Sequence, residues 1–258
     1  MSESFYLLMS WIMINRIFFH TGDRCKSSKF IITKGGIEVF LLLLPFKFSL
    51  ALILLVFLIA SVNAANFYFE KKKNPELYRF LSLIVYIVLL SIFFPEKFPL
   101  IEPRAWVLSV KGILEQHTIL IIALKASNWK KFLIIFMGSL MVTHEASQIV
   151  KLTLSRLKIS PPDTAQTRNQ NGSQTNQNME KIEEKRGRII GILERLLIYF
   201  FIIHNQLAAI GFILAAKSFA RFKELDNRNF AEYVLIGTLL SASLALLIGE
   251  IAKMLITL

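Results

Sequence analysis

A single cysteine, Cys25, excludes an intramolecular disulfide and a cysteine-based zinc cluster, and fits a chain that does not depend on an oxidising compartment. The four histidines, His20, His117, His144 and His204, share no ligand spacing, and His144-Glu145 are adjacent and so point apart on a helix. No phosphate-binding glycine loop, dinucleotide fingerprint, nucleophile elbow or zincin motif occurs, so the reading is of a non-enzyme with no catalytic residue, metal or cofactor. Acids are scarce beside bases, 18 against 30 for a net charge of +12, yet no basic and aromatic platform accompanies that charge, which argues against a nucleic-acid partner. The cations flank apolar blocks instead, as at Lys71-Lys72-Lys73 and around Lys181, Lys185, Arg186 and Arg188, where they meet anionic lipid headgroups.

What is abundant is apolar. Of the 258 residues 54% are hydrophobic, 22 are Phe, and the mean hydropathy is +0.54. These residues fall in long blocks with the charges between them, the pattern of an all-α, polytopic transmembrane bundle of about six spans. Ser4 to Phe19 is interrupted by Asn15 and Arg16 and is left open between an interfacial helix, a poor span and a targeting segment. Glu38 to Phe69 contains Pro45 and Lys47, and its clean part, Ser49 to Ala65, reads as a span; its end, Ala60-Ser61-Val62-Asn63-Ala64, also has the small-residue look of a signal-peptidase site. Phe80 to Phe94, stopped by Pro95, reads as another span. Trp106 to Leu124 and Phe132 to Val142 carry polar residues and read as a tight hairpin or as helices shielded inside the bundle.

Residues 159–188 change character, with Pro161-Pro162 followed by Gln, Asn, Thr, Ser and Gly, and read as a disordered polar linker. Asn171-Gly172-Ser173 matches the glycosylation sequon, which matters only in a eukaryotic secretory setting. The linker separates an N-terminal membrane module, 1–158, whose first ~36 residues stay open, from a C-terminal two-span module, 189–258. The larger share of Lys and Arg lies on the linker's face, which places the linker and both termini in the cytoplasm.

Within the C-terminal module, Ile189 to Ala216 reads as one helix, about 42 Å long at roughly 1.5 Å per residue. Its polar positions, Glu194, Arg195, His204, Asn205 and Gln206, are candidates for a polar bundle interior, through interhelical hydrogen bonds or as a site for an ion, proton or polar solute. Gly211 and Ala215 on this helix, and Gly237, Ser241, Ala245 and Gly249 at four-residue spacing on the next, are candidate helix-packing positions. Glu250 and Lys253 are spaced to pair. Lys217, Arg221 and Lys223, interleaved with Phe219 and Phe222, are candidate headgroup contacts.

The run Arg188-Ile189-Ile190-Gly191-Ile192-Leu193-Glu194-Arg195, followed by Gln206, Ala209-Ile210-Gly211-Phe212, Ala215-Ala216-Lys217-Ser218, Ala220-Arg221-Phe222-Lys223-Glu224, Ala231-Glu232-Tyr233 and Ile236-Gly237-Thr238-Leu239-Leu240-Ser241, resembles the C-terminal part of an uncharacterised family of bacterial multi-pass inner-membrane proteins. The resemblance implies a bacterial inner-membrane location and brings no activity. The His and Asp often found in the N-terminal apolar segments of that family are not matched here. The partners expected are membrane lipids and either other membrane subunits or further copies of the chain. Three roles follow: a non-enzymatic bundle that binds or conducts a small solute or ion, a structural or assembly subunit, and a lipid-modifying enzyme using His144, Glu145 or Glu232.

Overall fold

Proline and polar punctuation decide where the helices stop. The computed structural model describes residues 2–20, 28–70, 75–96, 100–117, 129–157, 174–220 and 228–257, all helix and connection, with no strand among them. The chain divides into two compact units, Met1–Leu140 and Met141–Leu258.

The first unit holds α1 (Glu3–His20), α2 (Ser28–Leu43), α3 (Leu50–Glu70), α4 (Pro75–Phe93), α5 (Ala105–His117) and α6 (Trp129–Leu140). The N-terminal segment left open above is its central helix: α1 packs against α2, α4 and α6, burying Tyr6, Met9, Ile12 and Met13. Helix α3 buries Leu52, Leu55, Ile59 and Asn63 at three- and four-residue spacing, and turns Ile53, Leu54 and Phe57 outward. Pro45 splits the Glu38-to-Phe69 block between α2 and α3, because it cannot donate to the helical ladder. The turn it creates is stitched to the Pro103 turn: Lys47 N donates to Glu102 O at 3.0 Å, Arg104 N to Pro45 O at 2.8 Å, and Arg104 Nε to Phe46 O at 2.7 Å. Lys47 Nζ also lies 2.8 Å from Glu102, whose carboxyl it holds below the usual carboxylate range. The pair is exposed and adds little stability.

The second unit begins with a π-helical turn (Met141–Glu145), continued by α7 (Ala146–Arg156), then α8 (Gln174–Ile203), α9 (Leu207–Ala220) and α10 (Arg228–Thr257). Helix α10 packs against α8, α7 and the π turn, and α9 packs against α8. At Gly249 the contact is so close that a Cβ would stand 2.8 Å from Ile202 Cγ2, so only glycine fits without displacing that stiff β-branched side chain. Gly237, Ser241, Ala245 and Gly249 thus lie on the packed side of α10, with Ala245 and Gly249 buried and Leu154 3.9 Å from where a Gly237 Cβ would be.

Several expectations need correction. Among the described residues two helices are long and apolar enough to span a bilayer, Trp129–Arg156 and Ala231–Thr257, rather than six; Leu50–Asn66, Leu77–Phe93 and Leu207–Phe219 are shorter apolar stretches. The expected short segment from Phe132 to Val142 runs on through Thr143, His144 and Glu145, because the π turn carries those polar residues inside a continuous helix. The single helix expected over Ile189–Ala216 is broken at His204-Asn205-Gln206. The disorder expected to residue 188 gives way to helix from Gln174 onward, where Glu, Lys and Arg are good helix formers; residues 159–173 of that linker lie outside the described residues.

Candidate functional site

Each unit buries one polar cluster. In the second, Arg195 shares the inner stripe of α8 with Ile198, Tyr199 and Ile202 and is 6% exposed. Its guanidinium fork reaches three elements: Nε donates to the Val142 carbonyl in the π turn at 3.0 Å, Nη1 to Ser241 Oγ of α10 at 3.0 Å, and Nη2 to Ser147 Oγ of α7. A rigid planar fork suits three acceptors on separate helices in a way a lysine ammonium does not. The π turn also buries Glu145, while His144 is half-buried.

The other residues singled out on α8 and α9 stand elsewhere. Glu194 pairs with Lys217, which ties α9 back along α8. His204, Asn205 and Gln206 do not line an interior; all three are exposed. Asn205 takes φ 59°, the left-handed conformation that asparagine tolerates, with its N–H bonded to Ile202 O at 3.0 Å and the Gln206 N–H bonded to Phe201 O at 2.8 Å. That is a Schellman stop, and it ends α8 at Ile203. Gly211 and Ala215 are exposed, and nothing lies within 4 Å of a Cβ built on Gly211, so this pair is not a packing position within the unit. Lys253 Nζ is 3.9 Å from Glu250. Arg221 and Lys223 lie outside the described residues.

The cluster in the first unit was not anticipated. Glu38 of α2 is 2% exposed, and three helices send it neutral donors: Asn15 Nδ2 of α1 to Oε1 at 2.9 Å, Tyr86 Oη of α4 to Oε2 at 3.2 Å, and Asn63 Nδ2 of α3 to Oε2. Beside Asn15, the buried Arg16 donates to Ser82 Oγ and to the Arg79 carbonyl, each at 3.0 Å. One carboxylate thus gathers four helices. Counted along α2 from Pro45 it lies about 10 Å into the unit, and along α1 from Glu3 its donor lies about 18 Å in, at roughly 1.5 Å per residue. The primary amides matter chemically: a half-turn of Asn15 or Asn63 replaces a donor by an acceptor of the same shape, so this site can surround either a bare carboxylate or a small cation with oxygen. Among the described residues no group of three or more His, Cys, Asp or Glu converges as a metal site.

The hidden signal for this cluster was the presence of isolated polar residues, Asn15, Glu38 and Asn63, in otherwise apolar blocks. Compared with protein-family models, curated proteins and solved structures, the chain matches none.

Proposed function

We propose that the chain is a multi-pass integral membrane protein of the bacterial inner membrane that binds or conducts a small cation through the polar cluster around Glu38. One observation carries the reading: the outside is as greasy as the core, and several polar side chains are turned inward. Large apolar side chains face outward on α3, α4, α9 and α10, among them Leu50 at 84%, Phe57 at 68% and Phe212 at 75% exposure, while Asn15, Arg16, Glu38, Asn63, Ser82, Glu145 and Arg195 are buried. Water does not favour that arrangement and hydrocarbon does, and ionisable residues inside a membrane bundle mark ion pathways and sites. Lipid is then the first partner, and the linker faces the cytoplasm.

A structural or assembly role gains support from a different fact: among the described residues no buried side-chain nitrogen or oxygen lacks a hydrogen-bond partner. Such a network locks helices whether or not anything passes. Proteoliposomes loaded with a cation-sensitive dye separate the two roles. Glu38→Gln keeps the side chain's shape and removes its charge, so monovalent-cation flux should fall tenfold or more, about 1.4 kcal/mol of barrier, with unchanged elution in detergent. Equal flux in the variant and the parent protein would leave the assembly role standing.

A further inference from the structure

All three tryptophans of the chain, Trp11, Trp106 and Trp129, line one groove in the first unit, a cavity of about 320 Å³. Leu8, Leu44 and Val107 complete its apolar walls, and its polar side chains are Glu3 and Ser4. The groove has a definite level. Pro45 and Pro103 on its wall belong to the stitched turns that close one end of the unit, whereas Trp11 lies eight residues along α1 from Glu3, about 12 Å deeper. Helix α5, which supplies Trp106, has 13 residues, about 20 Å, too few to cross a bilayer. Tryptophan concentrates where headgroups meet hydrocarbon, and these three sit along such a gradient.

Size and the apolar lining identify the occupant. A helix with its side chains is about 10–12 Å across and does not enter a slot of this volume, whereas a single polymethylene chain does. At the polar end, Glu3 stands on one wall, and Lys130, adjacent to Trp129, forms a 2.7 Å ion pair with Glu96. Charged side chains thus gather at this end of the groove and apolar ones along its length, the gradient that an acyl chain with a polar head follows. We propose that this groove binds one acyl chain of a membrane phospholipid, with its head at the end marked by Pro45 and Pro103. The assignment rests on the membrane reading above.

Because no tryptophan lies elsewhere, tryptophan fluorescence, excited where tyrosine does not absorb, reports on the groove alone. Titrating the full chain in detergent with phosphatidylethanolamine carrying brominated acyl chains should quench most of the emission saturably, at one lipid per chain, and the unbrominated lipid should reverse it. Filling the groove with Leu44→Phe and Val107→Phe should abolish the saturable part while elution in detergent stays the same. Quenching that rises linearly with brominated lipid, with no saturable component, would overturn the proposal, as would a filled variant that saturates like the parent protein. Failure of the membrane reading looks different: the chain would then stay dispersed without any detergent.

Discussion

Arg195→Ala is expected to lower the stability of the second unit by about 3 kcal/mol, of which the orphaned acceptors account for roughly 1–2 and the void left by the side chain for the rest. The argument starts from the π turn. There the Val142 carbonyl takes its side-chain hydrogen bond from Arg195, and no neighbouring serine is placed to substitute, since Ser147 Oγ already donates to Thr143 O at 2.9 Å. Ser241 loses a charged donor at the same moment. Arg195→Lys should recover less than half of the loss, because one ammonium cannot meet acceptors on the π turn, α7 and α10 together. In detergent the apparent melting midpoint should drop by about 6–12 °C for Ala, at roughly 2–4 °C per kcal/mol. An unchanged midpoint would mean that the fork holds nothing.

The second large effect concerns sidedness. Two contacts run in step along α8 and α10: Arg195 meets Ser241, and Ile202 meets Gly249. Both numbers rise together, so α8 and α10 are parallel. Lys217, near the end of α9, reaches back to Glu194, so α9 is antiparallel to both. On the membrane proposal above, these alternating directions make three passes after the linker and put the C-terminus on the face opposite it. Charge counting with one unbroken helix over Ile189–Ala216 leads to the opposite result, with linker and C-terminus on one face. Neither α8 nor α9 has the length of a full span, and on that proposal the apolar part of α8, Ile189–Ile203, rises about 22 Å against ~30 Å of hydrocarbon, a mismatch that bilayer thinning and snorkelling ends would accommodate. In a Cys25→Ser background, cysteines placed at Ser218 and at Thr257 should react with a membrane-impermeant maleimide from opposite sides. Reaction of both from the same side would contradict the three-pass order.

How much of this was legible depends on the range over which each signal acts. The period-four stripe of α10 is local, and the packed helix shows it at Gly237, Ser241, Ala245 and Gly249. Pro45 likewise marks its own break. The end of α8 was also local but was outvoted: apolar residues on both sides of His204-Asn205-Gln206 favour one long helix, and only the left-handed tolerance of Asn205 speaks for a stop. The Glu38 cluster showed locally only as isolated polar residues in apolar blocks, with nothing to say that they meet. Its partners lie 23, 25 and 48 residues away, on three other helices, so nothing short of tertiary packing brings them together. The same holds for Arg195, whose polarity was plain but whose acceptors, in the π turn, α7 and α10, were not. The three tryptophans, read one by one, pointed nowhere; their shared groove exists only once α1, α5 and α6 are folded.

A lipid-facing apolar exterior is the claim on which the cation site, the acyl groove and the three-pass order all depend, and alkaline carbonate washing of membranes from expressing cells tests it most directly. The full chain should remain with the sedimented bilayer and leave it only on adding detergent. Release into the supernatant, as a species monodisperse in plain buffer, would contradict the account.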